Sequence, residues 1–321
     1  MRDIKHRIVE TNGIKMHIAE QGNGPLVVFC HGYPELWYSW RHQLSALSEA
    51  GFHAVAPDQR GYGQTDCPQA IDEYNYLVLT GDIVGLVHAL GEEKAVIVGH
   101  DFGAPIAWNC ALLRPDIFSA VGLISVPYRQ GSWGSLPPTE RIRRIQGDQV
   151  HYQIYHQEPG IAEKELEADV RKSMLGMLYS WSGEVPSDKK WNFMFSKSMR
   201  LIDTLMFPDV LPNWLSESDL EVYVSEFSRT GFRGGLNWYR NLDRNWQLTA
   251  FLNGAKIQQP SIFIAGAADF VIEMQAPLVE NLENTMVNLK KKAIIPGAGH
   301  WVQQEKPAEL NKLLIDFLKN L

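Results

Sequence analysis

Cysteine is scarce in this chain: Cys30, Cys67 and Cys110 are its only three, far apart and without C-x-x-C spacing. So few cannot build a disulfide framework, and no zinc pattern is present. Cys30, inside an apolar run, is expected as a buried free thiol. Long hydrophobic stretches are missing as well. No run approaches the ~18 apolar residues that a membrane-spanning helix requires. The opening Met1-Arg2-Asp3-Ile4-Lys5-His6 has no apolar signal region, and the closing Lys319-Asn320-Leu321 is not the usual peroxisomal address. These absences lead us to expect a soluble protein of a reducing, cytoplasmic setting with no membrane partner. Excess positive charge is also absent, the formal net charge being -7. The densest basic groups, Arg141-Ile142-Arg143-Arg144 and Lys290-Lys291-Lys292, are too short for a polyanion track and are expected as solvated helix and loop faces. Nucleic acid is thereby excluded as a partner.

What is present is globular. Hydrophobic residues make up 45% and charged residues 21%, which predicts a sizeable core. At 321 residues the chain suits one large α/β domain, or a core with an inserted module. Short apolar runs alternate with helical patterns, the signature of a mostly parallel sheet covered on both faces. Strands are expected at 26–30, 53–57, 95–98, 120–126, 261–265 and 293–296. Two further segments, 6–10 and 16–20, flank Asn12-Gly13, a strong hairpin signal, so an antiparallel edge opens the fold. Helical patterns lie near 38–49, 74–90, 104–113 and 308–318. From about 129 to 245 the alternation stops, and the chain reads as helical with no clear strand. The expected organisation is a core in two parts, 1–128 and 246–321, with a helical cap at 129–245. Such a cap sits over the carboxyl ends of the strands, where open α/β sheets bind ligands.

The stretch Val98-Gly99-His100-Asp101-Phe102-Gly103-Ala104 ends one apolar run and begins a helical pattern. Small residues on either side make it a strand-to-helix elbow that thrusts one side chain out at its tip. Most such elbows carry serine. A carboxylate here is already ionised at neutral pH and needs no base to activate it. Attack on an ester carbonyl would give an energetic anhydride, whereas attack on an sp3 carbon gives an ordinary ester. Asp101 taken alone also suits a helix N-cap. Its glycine frame and its partners decide for the nucleophile.

Those partners are Asp269, in Ala265-Gly266-Ala267-Ala268-Asp269-Phe270, and His300, in Pro296-Gly297-Ala298-Gly299-His300-Trp301. Each directly follows a predicted strand. The order nucleophile, acid, histidine is that of the α/β-hydrolase architecture. A second position for the acid, after the strand ending at Val126, reads Pro127-Tyr128-Arg129-Gln130 and offers no carboxylate. With an ionised nucleophile, His300 serves the second half-reaction, taking a proton from the water that attacks the ester. Asp269 would fix its tautomer and stabilise the imidazolium. The tetrahedral intermediate needs backbone donors. Candidates are the N–H groups of Phe102 and of Tyr33, in Cys30-His31-Gly32-Tyr33-Pro34-Glu35, where Pro34 restricts the preceding residue. No metal or organic cofactor is implied.

These residues resemble the soluble epoxide hydrolases of the α/β-hydrolase superfamily, in their short plant-type and bacterial form. The resemblance rests on His31-Gly32-Tyr33-Pro34-Glu35-Leu36-Trp37-Tyr38-Ser39-Trp40-Arg41, on Asp58-Gln59-Arg60-Gly61-Tyr62-Gly63, and on the Asp101 elbow. Gly299-His300-Trp301 and the segments around His151-Tyr152 and Asn237-Trp238-Tyr239-Arg240 extend it over nearly the whole chain. It implies hydrolysis of an epoxide to a vicinal diol; the aromatic-rich cap points to a mostly apolar epoxide, and the protein is expected as a monomer or homodimer. It implies two cap tyrosines that hydrogen-bond the epoxide oxygen, matched by Tyr239 and Tyr152, with Tyr155 one turn away as rival to the latter. It further implies Glu35 and His100 as residues that help place the hydrolytic water. Phe102 departs from the tryptophan common after the nucleophile, without disturbing its backbone donor.

Three other readings use the same elbow. Haloalkane dehalogenases need halide donors where this chain has Tyr33 and Phe102, and fluoroacetate-type dehalogenases need arginines where it has Phe102-Gly103-Ala104-Pro105. A non-catalytic ligand receptor on the same fold is the third, separated from an enzyme by turnover.

Overall fold

Asn12 and Gly13 both take positive φ, 45° and 78°, which closes the two-residue turn between β1 (Lys5–Thr11) and β2 (Ile14–Gln21). That hairpin opens an eight-stranded sheet. The computed structural model describes residues 4–130 and 135–321. The start of the opening hexapeptide, 1–3, and residues 131–134 of the expected cap lie outside them. After the hairpin come β3 (Leu26–Cys30), β4 (His53–Pro57), β5 (Ala95–His100) and β6 (Phe118–Ile124). The short β7 (Gln149–His151) and β8 (Met194–Ser196) pair with each other, and β9 (Ser261–Gly266) and β10 (Leu289–Ile295) complete the large sheet. Its order is β1-β2-β4-β3-β5-β6-β9-β10, antiparallel only at the β1–β2 and β2–β4 pairs.

Strand alternation builds two apolar layers. On β3, Val27 and Phe29 face one side, with Leu44 and Leu47 of α1 (Arg41–Glu49) and Leu310, Leu314 and Phe317 of the C-terminal helix Pro307–Lys319. Val28 and Cys30 face the other, with Leu79, Ile83 and Leu86 of α2 (Tyr76–Ala89) and Ile106 and Ala107 of α3 (Gly103–Leu113). Each fully buried Leu, Ile, Val or Phe here contributes about 1.5–3 kcal/mol relative to exposure. Cys30 is a buried free thiol. The Arg-Gly-Tyr-Gly stretch is structural, since Arg60 holds Asp82 through two bonds of 2.7 Å and so anchors the loop after β4 to α2.

Helices fill most of the span between β6 and β9, beginning with α4 (Pro138–Ile145) and α5 (Tyr152–Tyr155). The structure departs from the sequence reading in three places. β7 and β8 form an antiparallel pair within a span read as strand-free; at three residues each they are too short for a period-2 signal. β6 stops at Ile124 rather than at Val126, because Ser125 takes φ 69° and leaves the sheet. Lys290, Lys291 and Lys292 lie on exposed positions of β10, a sheet edge, not on a helix or loop. Lysines on an edge strand deter pairing with another chain. Among the described residues no helix is long and apolar enough to cross a membrane.

Candidate active site

The elbow after β5 is built by close approach. A Cβ on Gly99 would run into the Gly103 carbonyl oxygen, and one on Gly32 into the Asp101 side chain. Only glycine lets the turn close this tightly. Asp101 sits at its tip with φ 48°, a conformation L residues rarely adopt, and its strain is held by the packed strand and helix on either side.

Four strand ends converge on it. From the loop after β3, Tyr33 N–H donates to Asp101 Oδ1 at 2.9 Å; the Tyr33–Pro34 peptide is cis. From the loop after β10, His300 Nε2 lies 3.5 Å from Asp101 Oδ2. That separation suits charge attraction but is too long for a hydrogen bond, and Nε2 has no other partner among the described residues. From the end of β9, Asp269 Oδ1 accepts from His300 Nδ1–H at 3.1 Å and from Val271 N–H at 2.9 Å. From the end of β6, Ser125 Oγ–H donates to Asp269 Oδ2 at 2.6 Å, with Oγ also 3.0 Å from His300 Nδ1.

Charge sets the protonation states. Burial alone would raise the Asp101 carboxyl, but His300 beside it, the charge on His100 and the Tyr33 amide hold it below the usual carboxylate range. Burial likewise opposes ionisation of Asp269, and His300 and Ser125 override it. Burial would depress His300; the charges of Asp269 and Asp101 instead lift it to about 10.

Glu35 and His100 are fully buried. Glu35 Oε2 accepts from Gly32 N–H at 2.9 Å and faces His100 Nδ1 at 2.6 Å, and Oε1 accepts from Gln303 at 2.9 Å. His100 Nε2–H donates to the His300 carbonyl at 2.8 Å. Both ring nitrogens of His100 thus face oxygen atoms. This pair braces the Tyr33 turn on one side and the His300 backbone on the other.

A cavity of about 280 Å³ opens over Asp101 and Phe102. Tyr76, Trp108, Leu242 and Val271 make it largely apolar, Arg129 and Arg141 add charge, and Tyr152 lines it. Tyr239 packs edge-on against Phe102 at 4.5 Å, Tyr33 at 5.3 Å and Tyr152 at 5.9 Å between ring centroids. Burial first, and then the Asp101 charge among others, raises both phenols, so both are neutral donors. Tyr155 turns elsewhere, its hydroxyl donating to Glu165.

Reasoning from sequence missed Ser125, Gln303 and Glu305. Ser125 occupies a strand end at which only a carboxylate would have marked a catalytic group. Glu305 accepts from the amides of Gly183 at 2.8 Å, Gly299 at 2.9 Å and Trp301 at 3.0 Å, and its burial lifts it to about 7. No sequence signal marks it, because all these partners are backbone. Among the described residues no cluster of three or more His, Cys, Asp or Glu could hold a metal ion.

Residues 25–151 match the family described as the alpha/beta hydrolase fold. The chain is 44% identical to epoxide hydrolase A of Mycobacterium tuberculosis, covering 98% of this chain and 97% of that protein. It is 38% identical to epoxide hydrolase 2 of Siraitia grosvenorii, covering 99% of each. Its backbone is similar to the solved epoxide hydrolase from an endophytic Streptomyces, with a TM-score of 0.96, 46% identity, and 99% and 96% of the two chains covered.

Proposed function

This chain belongs to the epoxide hydrolases of the α/β-hydrolase fold, and from that membership we propose how its own residues open an epoxide to a vicinal diol. Asp101 Oδ2, which faces His300, attacks a ring carbon from behind while the ring C–O bond breaks. The departing oxygen is a poor leaving group and takes a proton from the cap phenols, Tyr152 and Tyr239. The phenolate is reprotonated at the expense of the His300 imidazolium. The product is a hydroxyalkyl ester on Asp101 and a neutral imidazole.

Hydrolysis reverses the charge state. His300 Nε2 takes a proton from water as its oxygen bonds to Asp101 Cγ. Asp269 stabilises the imidazolium that forms. The oxyanion develops on Oδ1, the atom already held by Tyr33 N–H, with Phe102 N–H as the second donor. Collapse expels the diol oxygen, which carries off the hydroxyl proton. Asp101 is again an anion and His300 again a cation. Glu35 and His100 place the water indirectly, through the Tyr33 turn and the His300 backbone. Residues 129–245 act as the cap, and the apolar lining favours an alkyl or aryl substituent on the epoxide.

The observation that carries this reading is a carboxylate at the elbow with one oxygen on a backbone donor and the other facing His300 beneath the cavity. The test is a single turnover of styrene oxide with excess enzyme in heavy-oxygen water. The label is expected in Asp101 and not in the diol. Label in the diol, or no diol while haloalkanes release halide, overturns the proposal.

A further inference from the structure

We propose that Ser125 is a positioning residue for the hydrolytic half-reaction, its hydroxyl holding Asp269 and His300 in the one arrangement that leaves Nε2 a base. The inference rests on the function proposed above and adds one more side chain to it.

Ser125 is fully buried. It leaves β6 with φ 69°, its own N–H tied to the Ile264 carbonyl of β9 at 2.8 Å. That backbone position aims the side chain at the end of the neighbouring strand, where Asp269 begins its loop. The donor count on Asp269 shows what the hydroxyl does there. Oδ1 accepts from the Val271 amide and from His300 Nδ1–H. On Oδ2 the Ser125 hydroxyl is the donor, at 2.6 Å. Without it a buried carboxylate oxygen would be left bare, which costs far more than an ordinary hydrogen bond contributes.

The second role concerns the imidazole. Nδ1 is 3.1 Å from Asp269 Oδ1 and 3.0 Å from Ser125 Oγ. The first distance is long for a charge-assisted bond, which normally spans about 2.7–2.9 Å. One Nδ1–H shared between both oxygens accounts for it. Serine, carboxylate and imidazole then form a closed ring of donors and acceptors, in which Nδ1 keeps its proton and Nε2 is the nitrogen that titrates. By drawing charge away from Oδ2, the hydroxyl also weakens the hold of Asp269 on the imidazolium. The base is thereby released at a lower pH than Asp269 alone would permit.

The test compares wild-type enzyme with Ser125→Ala and Ser125→Gly, timing ester formation and ester loss separately by rapid quench and intact mass with styrene oxide. Ester formation is expected to stay within about twofold of wild type. Ester loss at neutral pH is expected to slow about tenfold, with the ester accumulating, and to recover as pH is raised by about one unit. Glycine relieves the left-handed backbone, so Ser125→Gly separates the hydroxyl from strain. Ester loss at the wild-type rate in either folded variant overturns the inference. So does a parallel fall in both half-reactions that no pH restores, the mark of a structural role alone. Should both variants fail to fold, Ser125→Thr decides: wild-type ester loss supports the hydroxyl's role, and a tenfold fall without alkaline recovery refutes it. Failure of the wild type to form any ester would instead strike the proposed function.

Discussion

Asp101 Oδ2 and His300 Nε2 stand 3.5 Å apart, near enough that the charge on one governs the proton on the other. While Asp101 is ionised, the depressing effect of burial on His300 is overridden by Asp269 and Asp101, and the imidazole keeps its proton up to about 10. Alkylation turns Asp101 into a neutral ester and deletes one of those charges. The imidazole then falls back towards its ordinary value of about 6.5. In the proposed mechanism it thus becomes a base only when there is an ester to hydrolyse.

The two half-reactions should therefore separate along the pH axis. Ester formation is expected to be level through neutral pH and to fall only as His300 loses its proton near pH 10. Hydrolysis of the ester should rise with pH and reach its plateau well below that. Rapid-quench timing of each step across pH checks this, and a hydrolysis step that titrates near pH 10 contradicts the coupling.

Stability should carry the same signature. His300 binds its proton more tightly folded than unfolded, so its contribution is complete below the unfolded value of about 6.5. It is lost as pH rises through the folded value of about 10. Within that window unfolding free energy falls by up to ~1.4 kcal/mol per pH unit. Urea melts of wild type and His300→Gln should diverge in slope over this range, with the variant the flatter.

Removing the proposed nucleophile and removing the proposed base should fail differently. Asp101→Asn is expected to lose turnover by on the order of 10⁴-fold with no adduct. His300→Gln should form the ester and stop. Intact-mass spectra after styrene oxide distinguish them, and an adduct on Asp101→Asn sinks the assignment.

In the proposed mechanism Tyr152 and Tyr239 protonate the leaving oxygen, so their loss should slow ester formation and spare ester hydrolysis. Tyr152→Phe and Tyr239→Phe are each expected to cost ~10²-fold in that step, and the double variant more. Tyr155→Phe, with its hydroxyl on Glu165, should leave ester formation unchanged. A large loss there instead would exchange the roles of Tyr152 and Tyr155.

Gly32→Ala places a methyl group where the Asp101 side chain lies. The carboxylate must move, and a displacement near ~1 Å costs ~10²-fold in a positioned reaction. Stopped-flow measurement of ester formation beside a thermal melt tests this. A folded variant with normal kinetics would show that the elbow tolerates more room than its glycines suggest.

The sheet was legible because its strands are apolar runs with glycine and proline at their ends, and the Asn12-Gly13 turn announced the hairpin. Asp101, Asp269 and His300 could be singled out as candidates for the same reason: each follows a strand, and its residue type is chemically marked. Ser125 was hidden by being a common residue that meets Asp269 and His300 only through a positive φ. β7 and β8 were too short to carry a period. The Lys290–Lys292 run reads as a solvated face in any element, and only its pairing with β9 makes it an edge strand. Glu35 and His100 could be noticed but not understood, since their bracing role depends on Gly32, Gln303 and the His300 carbonyl meeting in space.

Glu305 grips three amides at once, those of Gly183, Gly299 and Trp301, and the Trp181 carbonyl accepts from His300 N–H at 2.8 Å. The loop that bears His300 is thus stitched to a stretch of chain more than a hundred residues earlier. A substitution that displaces the 181–183 segment is therefore carried through these bonds to His300, although that segment does not line the cavity over Asp101. Where the imidazole stands is in this respect a joint property of two distant stretches of chain.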